Sequence, residues 1–315
     1  SIISMIKKTL YFENPAYLSM KNAQLVIKLP EVELNDTLPE SFKKEAVSTI
    51  PIEDIGMVIL DHKQITLTHG LLEALLKNNS AIVTCGSNHM PIGLHLPLEG
   101  NTTQSERTRT QIEASLPLKK QIWQQTVQAK IKNQAYVLKT CRGKIVKNML
   151  AWARDVKSGD SDNLEGRAAA YYWANMFPNI EGFRRGRDEV PPNNLLNYGY
   201  AVLRAVIARS LVASGLFPAL GIHHHNRYNA FCLADDIMEP YRPFVDKLVV
   251  EITETGNNYQ ELSKDIKMKL LTIPILDVYI NGQRSPLMIA AGHTTASLAK
   301  CYLGEIRKII YPTFE

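Results

Sequence analysis

The rhythm of hydrophobic and polar positions changes near residue 98. Before it, short runs rich in β-branched and aromatic residues, bounded by Asn, Pro, Gly and Asp, predict strands over 9–12, 24–29, 56–60, 65–68, 81–85 and 92–96. Residues 70–77 instead have helix-former composition with an apolar face and predict a short helix. Beyond the break, helix formers dominate, several segments carrying an apolar stripe at a spacing of three or four. Helices are predicted over 105–115, 118–140, 145–157, 163–176, 194–213, 243–255, 259–270 and 285–309. Residues 276–280 followed by Asn281-Gly282 interrupt them like a hairpin, because Asn-Gly favours a tight turn. The turn-rich Pro97-Leu98-Glu99-Gly100-Asn101 marks the boundary. The expected fold is α+β and segregated: a small β-strand domain over 1–98, then a larger all-α domain over 103–315.

Composition narrows the class. With 45% hydrophobic and 21% charged residues, the chain is neither disordered nor collagen-like. Its longest apolar region, 200–222, is cut by Arg204, Arg209 and Pro218, so no membrane span is expected. Lys7 and Lys8 are followed by no apolar stretch of signal-peptide length, and a cytoplasmic protein is expected. The four cysteines form no Cys-x-x-Cys pair, which excludes a zinc ribbon and predicts free thiols.

Charge is divided unevenly. Residues 1–100 hold 8 lysines, no arginine and 11 acidic residues, a net of −3; residues 101–315 carry a net of +8 and all 14 arginines. Guanidinium forks suit phosphate, so the helical half is expected to contact an anionic polymer. Solvated helix surfaces are the competing explanation. The arginine-free, strand-rich half is expected to pair subunits, since exposed strand edges can join between chains.

Three segments hold candidate chemistry; phosphate-loop, dinucleotide-binding, zincin and nucleophile-elbow motifs are absent. In Gly221-Ile222-His223-His224-His225-Asn226-Arg227, three of eight histidines are adjacent. Soon after, Asp235, Asp236 and Glu239 fall within five positions; on a helical turn they would project to one side and call for a cation or an arginine. Oxygen ligands with one imidazole suit Mg²⁺ or Mn²⁺. Asp236 and Glu239 also fit a capping box. Asp162 with Glu165 fits another, with Gly166 out of place in a first helical turn unless a backbone must approach closely. Third, Arg184, Arg185 and Arg187 stand beside aromatic residues, as a DNA channel requires, or in a solvated loop.

Together, Leu164-Glu165-Gly166-Arg167-Ala168-Ala169, Pro192 to Tyr200, Gly221-Ile222-His223-His224 and Leu233 to Pro240 resemble, in this order, the CRISPR spacer-acquisition integrase family. The ending Leu276 to Gly282 with Thr294 to Leu298 resembles the branch found with a single large RNA-guided nuclease (type II). The resemblance implies metal ligands at Glu165, His224 and Glu239, with Asp236 an accessory acidic position. His223 and His225 are the alternatives to His224. Much of the family has aspartate where Glu239 stands; the branch resembled here uses glutamate.

The resemblance also implies an activity: transesterification dependent on Mg²⁺ or Mn²⁺, joining the 3′-hydroxyl of a captured prespacer to the repeat of a CRISPR array, with DNA endonuclease or disintegrase activity from the same site. Implied partners are a second copy of the chain (a homodimer), the small second acquisition protein, prespacer and array DNA, and the large nuclease of the same locus. A non-catalytic DNA-binding scaffold whose carboxylates are only caps, and a general structure-specific metallonuclease, are the alternatives. Sharing one ion would make ligand removal nearly neutral for stability, because carboxylate repulsion would be relieved.

Overall fold

A computed structural model of the chain describes residues 7–186, 190–256 and 258–314. It divides into two compact units, Ser1–Gly100 and Asn101–Glu315. The first is strand-rich and the second mostly helical, the segregated α+β architecture expected from the change in periodicity.

In the first unit, β1 (Lys8–Phe12) leads to the hairpin β2 (Ala16–Lys21) and β3 (Gln24–Lys28). Two short helices, α1 (Pro30–Glu33) and α2 (Glu40–Glu45), precede β4 (Ser48–Pro51), β5 (Ile55–Leu60) and β6 (Ile65–Leu67). Helix α3 (His69–Lys77), capped by the Thr68 hydroxyl, leads to β7 (Ala81–Cys85) and β8 (Pro91–His95). One sheet has the order β1-β5-β7-β8, its first three strands parallel; the other has the order β4-β3-β2-β6. The core joins Leu18, Leu25, Ile55, Val58 and Ile82 to Leu71 and Leu75 of α3. Strands β2 and β4 and helices α1 and α2 go beyond the elements expected from the sequence.

The second unit is organised around α5 (Leu116–Arg142), which follows α4 (Gln104–Glu113). Its buried stripe runs through Ile122, Trp123, Thr126, Val127, Lys130, Ile131, Gln134, Val137 and Leu138, the helical repeat of an inward face. Helices α6 (Lys147–Asp155), α7 (Leu164–Met176), α8 (Asn193–Ala213), α9 (Cys232–Met238) and α10 (Arg242–Glu254) follow, α10 preceded by a 3₁₀ turn, Glu239–Tyr241. Then come α11 (Lys264–Leu270), the hairpin β9 (Asp277–Ile280) and β10 (Gln283–Pro286), and α12 (Leu287–Tyr302).

Two helices are shorter than expected. Helix α11 begins only after Ser263, whose hydroxyl caps it by accepting from the Ile266 amide. Helix α12 stops before Gly304, whose φ of 75° ends the turn. The remaining tail folds back instead: Thr313 bridges Tyr279, and the Phe314 ring stacks on Tyr136 and Phe244. All four cysteines are free; Cys232 and Cys301 are buried, and Cys85 and Cys141 half-buried. Among the described residues, no helix is long and apolar enough to cross a membrane.

Candidate DNA-processing site

The start of α7 shows why Glu165 is available for chemistry. Its cap is built by other residues. Asp160 accepts from the backbone amides of Leu164 and Glu165 at 2.9 and 3.0 Å, and the Asn163 side chain accepts from Gly166 at 3.2 Å. Asn163 takes the left-handed conformation, φ 50°, as N-cap. Asp162 instead pairs with Lys157 at the surface, so the expected capping box is replaced. Gly166 follows from this geometry: a Cβ there would lie 2.7 Å from the Asn163 side chain. The close approach that the glycine required is the cap itself.

With its capping duty removed, the Glu165 side chain reaches inward to α5. Its Oε1 is 2.5 Å from Lys130 Nζ. Glu239, from the 3₁₀ turn, puts Oε2 2.5 Å from the same nitrogen. That second contact is an ion pair without hydrogen-bond direction: the buried Oε2 accepts no well-aligned donor. Arg242 Nη2 holds the other oxygen, Oε1, at 3.1 Å. Burial opposes the charge on Glu239, but Arg242 and Lys130 outweigh it and hold its carboxyl below the ordinary range. Burial likewise opposes the charge on Lys130, and Glu239 and Glu165 outweigh it in raising the ammonium's pKa.

The histidine loop is folded by Asp236. This carboxylate is wholly buried and accepts the backbone amides of Ile222, His223 and His224 at 2.6, 2.9 and 3.2 Å. It also meets His224 Nδ1 at 2.5 Å. That hydrogen bond, working against partial burial, raises the His224 pKa, and the charges of Asp236, Glu239 and Glu165 add to it. Gly221 is required here, because a Cβ would lie 2.2 Å from the His224 carbonyl oxygen. The three histidines are not equivalent. His223 stacks flat on Trp123 with ring centres 4.2 Å apart, His224 meets the buried carboxylate, and His225 is exposed.

Asp235, Asp236 and Glu239 therefore do not share one side, contrary to the helical-turn expectation. Asp235 accepts from Arg204 and Asn229, both at 2.6 Å, Asp236 faces the histidine loop, and Glu239 faces Lys130 and Arg242. Nor do Asp236 and Glu239 make a capping box; α9 has no side-chain cap. The premise of the scaffold alternative, that the carboxylates are only caps, fails at both Glu165 and Glu239. Among the described residues no three His, Cys, Asp or Glu side chains gather into a ligating cluster. The residues able to hold an ion, Glu165, Glu239 and His224, are engaged instead with Lys130, Arg242 and Asp236.

Of the candidate DNA-contact arginines, Arg184 is exposed. Arg185 is half-buried, donates to Gly186 O and Asn193 Oδ1, and lies 5.0 Å over the Tyr200 ring. Arg187 lies outside the described residues. Arg242 packs on the same Tyr200 ring at 4.7 Å, and Tyr200 and Tyr172 both donate to the buried Asp246. Sequence reasoning missed Lys130, Arg242, Asp246 and Trp123. Lys130 had a signal: it falls on the inward stripe of α5, four residues after Thr126 and four before Gln134.

The family model for CRISPR associated protein Cas1 matches residues 10–267. The chain belongs to the Cas1 family. It is 35% identical over 294 residues to the CRISPR-associated endonuclease Cas1 of Neisseria meningitidis serogroup C (strain 8013), covering 93% of this chain and 91% of that one. A Pyrobaculum aerophilum relative, CRISPR-associated endonuclease Cas1 2, is 28% identical over 82% of this chain and 90% of its own length. In fold, the chain resembles a casposase bound to its integration product, at TM-score 0.74 and 21% identity, with 96% and 92% of the two chains covered. It also resembles a Cas1 protein from Thermotoga maritima, at TM-score 0.71 and 17% identity, with 95% and 98% covered.

Two outcomes follow from the geometry. Removing Glu239 leaves Lys130 and Arg242 buried without it, so Glu239→Ala should cost about 3–5 kcal/mol in a denaturant melt. This replaces the near-neutral change expected from carboxylate repulsion, because Lys130 and Arg242 already offset it. Burial raises Asp246 to about 6, against the pull of the two tyrosine hydroxyls and of Arg185 and Arg242. Between its ordinary value and 6 the folded protein holds more protons there, so this group's contribution to stability should fall as pH rises through that window. In Asp246→Asn, melts between pH 4 and 6 should lose that downward component; an unchanged pH slope would refute the assignment.

Proposed function

We propose that this Cas1 protein is a divalent-metal-dependent DNA integrase and endonuclease of CRISPR adaptation. Family membership supports that reading, as do the names of the endonuclease relatives and of the casposase with its integration product. The observation that carries it is the meeting of Glu165 and Glu239, from separate elements, at one buried point on α5.

The donor set fits Mg²⁺ or Mn²⁺. Glu165 and Glu239 supply hard oxygens, and Glu239 Oε2 retains unused acceptor capacity. His224 Nδ1 meets the buried Asp236, which fixes the ring and leaves Nε2 free, the carboxylate–histidine pairing that supports a metal ligand. His223, flat against Trp123, is committed to stacking. We therefore assign Glu165, His224 and Glu239 as ligands and Asp236 as the residue that positions His224. When bound, the ion supplies Lewis acidity at a phosphodiester and charge stabilisation at the attacking and leaving oxygens. The chain's own residues fix the carboxylates from α7 and the 3₁₀ turn and orient the imidazole. In the reaction, a prespacer 3′-oxygen would form the new bond to the phosphorus that carries the repeat's 5′-oxygen, and the bond from that phosphorus to the flanking nucleotide's 3′-oxygen would break. Solvent would take the attacking hydroxyl's proton and supply one to the leaving oxygen, which ends as a 3′-hydroxyl.

Arg184, Arg185 and Arg187 are proposed phosphate contacts, Arg185 in a position set by Asn193 and Tyr200. A solved complex titled Cas6-RT-Cas1–Cas2, matched at TM-score 0.72, supports pairing with a small second acquisition protein of the Cas2 kind. Homodimerisation through the strand-rich unit and contact with the large nuclease of a type II locus belong to the same reading.

The test is strand transfer of a 3′-hydroxyl prespacer into a repeat-bearing plasmid, run beside cleavage of branched DNA. Glu165→Gln, His224→Ala and Glu239→Gln should each lower strand transfer about 100-fold or more, while DNA affinity measured without added divalent metal stays within a few-fold, since phosphate contacts elsewhere dominate binding. Near-normal transfer by any one variant would remove that residue from the ligand set. Cleavage of branched DNA without any strand transfer would favour a general metallonuclease.

A further inference from the structure

An ion that takes both Glu165 and Glu239 must first break the two ion pairs of Lys130. The four side chains are already balanced, two carboxylates against Lys130 and Arg242. Lys130 is buried, its side chain 10% exposed, and Glu239 is 6% exposed. In so little solvent, adding a doubly charged ion with both cations in place leaves these four side chains and the ion with an excess of positive charge that water screens only weakly.

One of the two cations has to yield, and they are not equally held. Arg242 lies over the Tyr200 ring, whose hydroxyl is bound to buried Asp246. Lys130 is a point charge on a flexible four-carbon stem, and among the described residues its polar partners are the two carboxylates themselves. Lys130 can therefore swing away while Arg242 stays. An arriving phosphodiester brings the negative charge that the displaced ammonium needs.

We propose that Lys130 is a built-in competitor of the divalent ion, and that DNA phosphate accepts its ammonium, so that ion and DNA bind cooperatively. The proposal rests on the metal reading above. It makes Lys130 a positioning residue: it holds the two carboxylates together until both ligands arrive. By linkage, the factor by which DNA tightens the ion equals the factor by which the ion tightens DNA. A purely structural lysine, pinning α5 to α7 and the 3₁₀ turn, would affect stability and leave ion affinity unmoved.

The test is a Mn²⁺ titration of the full chain, followed by the electron-spin-resonance signal of the free ion, with and without a duplex bearing 3′ overhangs. Lys130→Met, and Lys130→Gln should the first prove too unstable to purify, are expected to bind Mn²⁺ about tenfold or more tightly than the parent without DNA. The gain on adding DNA should shrink in both, and Lys130→Arg should restore parental behaviour. Glu165→Gln in each background identifies the site by abolishing it. A Glu165-dependent site whose affinity ignores Lys130 overturns the proposal alone. No Glu165-dependent Mn²⁺ site in any of these proteins overturns the metal reading, and the proposal falls with it.

Discussion

A buried carboxylate facing a half-buried one repels it unless a cation or a shared proton stands between them, and the helical unit meets that constraint at Glu239 and Glu165 with Lys130. Its ammonium is 2.5 Å from an oxygen of each of Glu165 and Glu239, which arrive from α7 and from the 3₁₀ turn ahead of α10. Helix α7 and the 3₁₀ turn are thereby both fastened to one point on α5. Such a cluster is expensive to desolvate and costly to break, so its value lies in specifying where the two carboxylates stand rather than in raising stability. Arg242 completes the balance and transmits it to Tyr200 and Asp246, extending the same charge network between α8 and α10.

A second buried carboxylate works by a different principle. Asp236 spends its acceptor capacity on three successive backbone amides and one imidazole nitrogen, so it folds the histidine loop rather than answering to a cation. Neighbouring acids in the motif Ala234-Asp235-Asp236-Ile237-Met238-Glu239 thus carry three separate duties: Asp235 anchors the loop through Asn229 and Arg204, Asp236 folds it, and Glu239 forms the charged centre. This division leaves an imidazole held by Asp236 and two carboxylates converging on Lys130.

The boundary near residue 100 was legible because strand and helix impose different periods, and the −3/+8 charge split follows the same boundary. Strand β4 was hidden by its brevity and its closing Pro51, and α12 was overextended because Ile306, Ile309 and Ile310 continue a helical apolar spacing past the turn at Gly304. At the site, Glu165, His224, Asp236 and Glu239 stood out as motif residues. Their roles as caps or ligands were not legible, since the α7 cap depends on Asp160 and on a left-handed Asn163. Lys130 and Arg242 belong to no motif and were not singled out. A lysine on an inward helical stripe looks anomalous only when its register is followed, and its partners come from distant parts of the chain.

A double-mutant cycle between Lys130 and Glu239 tests this central pairing most directly. Denaturant stability would be measured for Lys130→Met, Glu239→Gln and the double variant in the absence of added metal. Because each single change leaves the opposite charge buried, the account predicts that the double variant is more stable than the sum of the single losses implies, with a coupling of about 2 kcal/mol or more. Additivity within about 0.5 kcal/mol would contradict it, showing that Lys130 and Glu239 do not depend on each other.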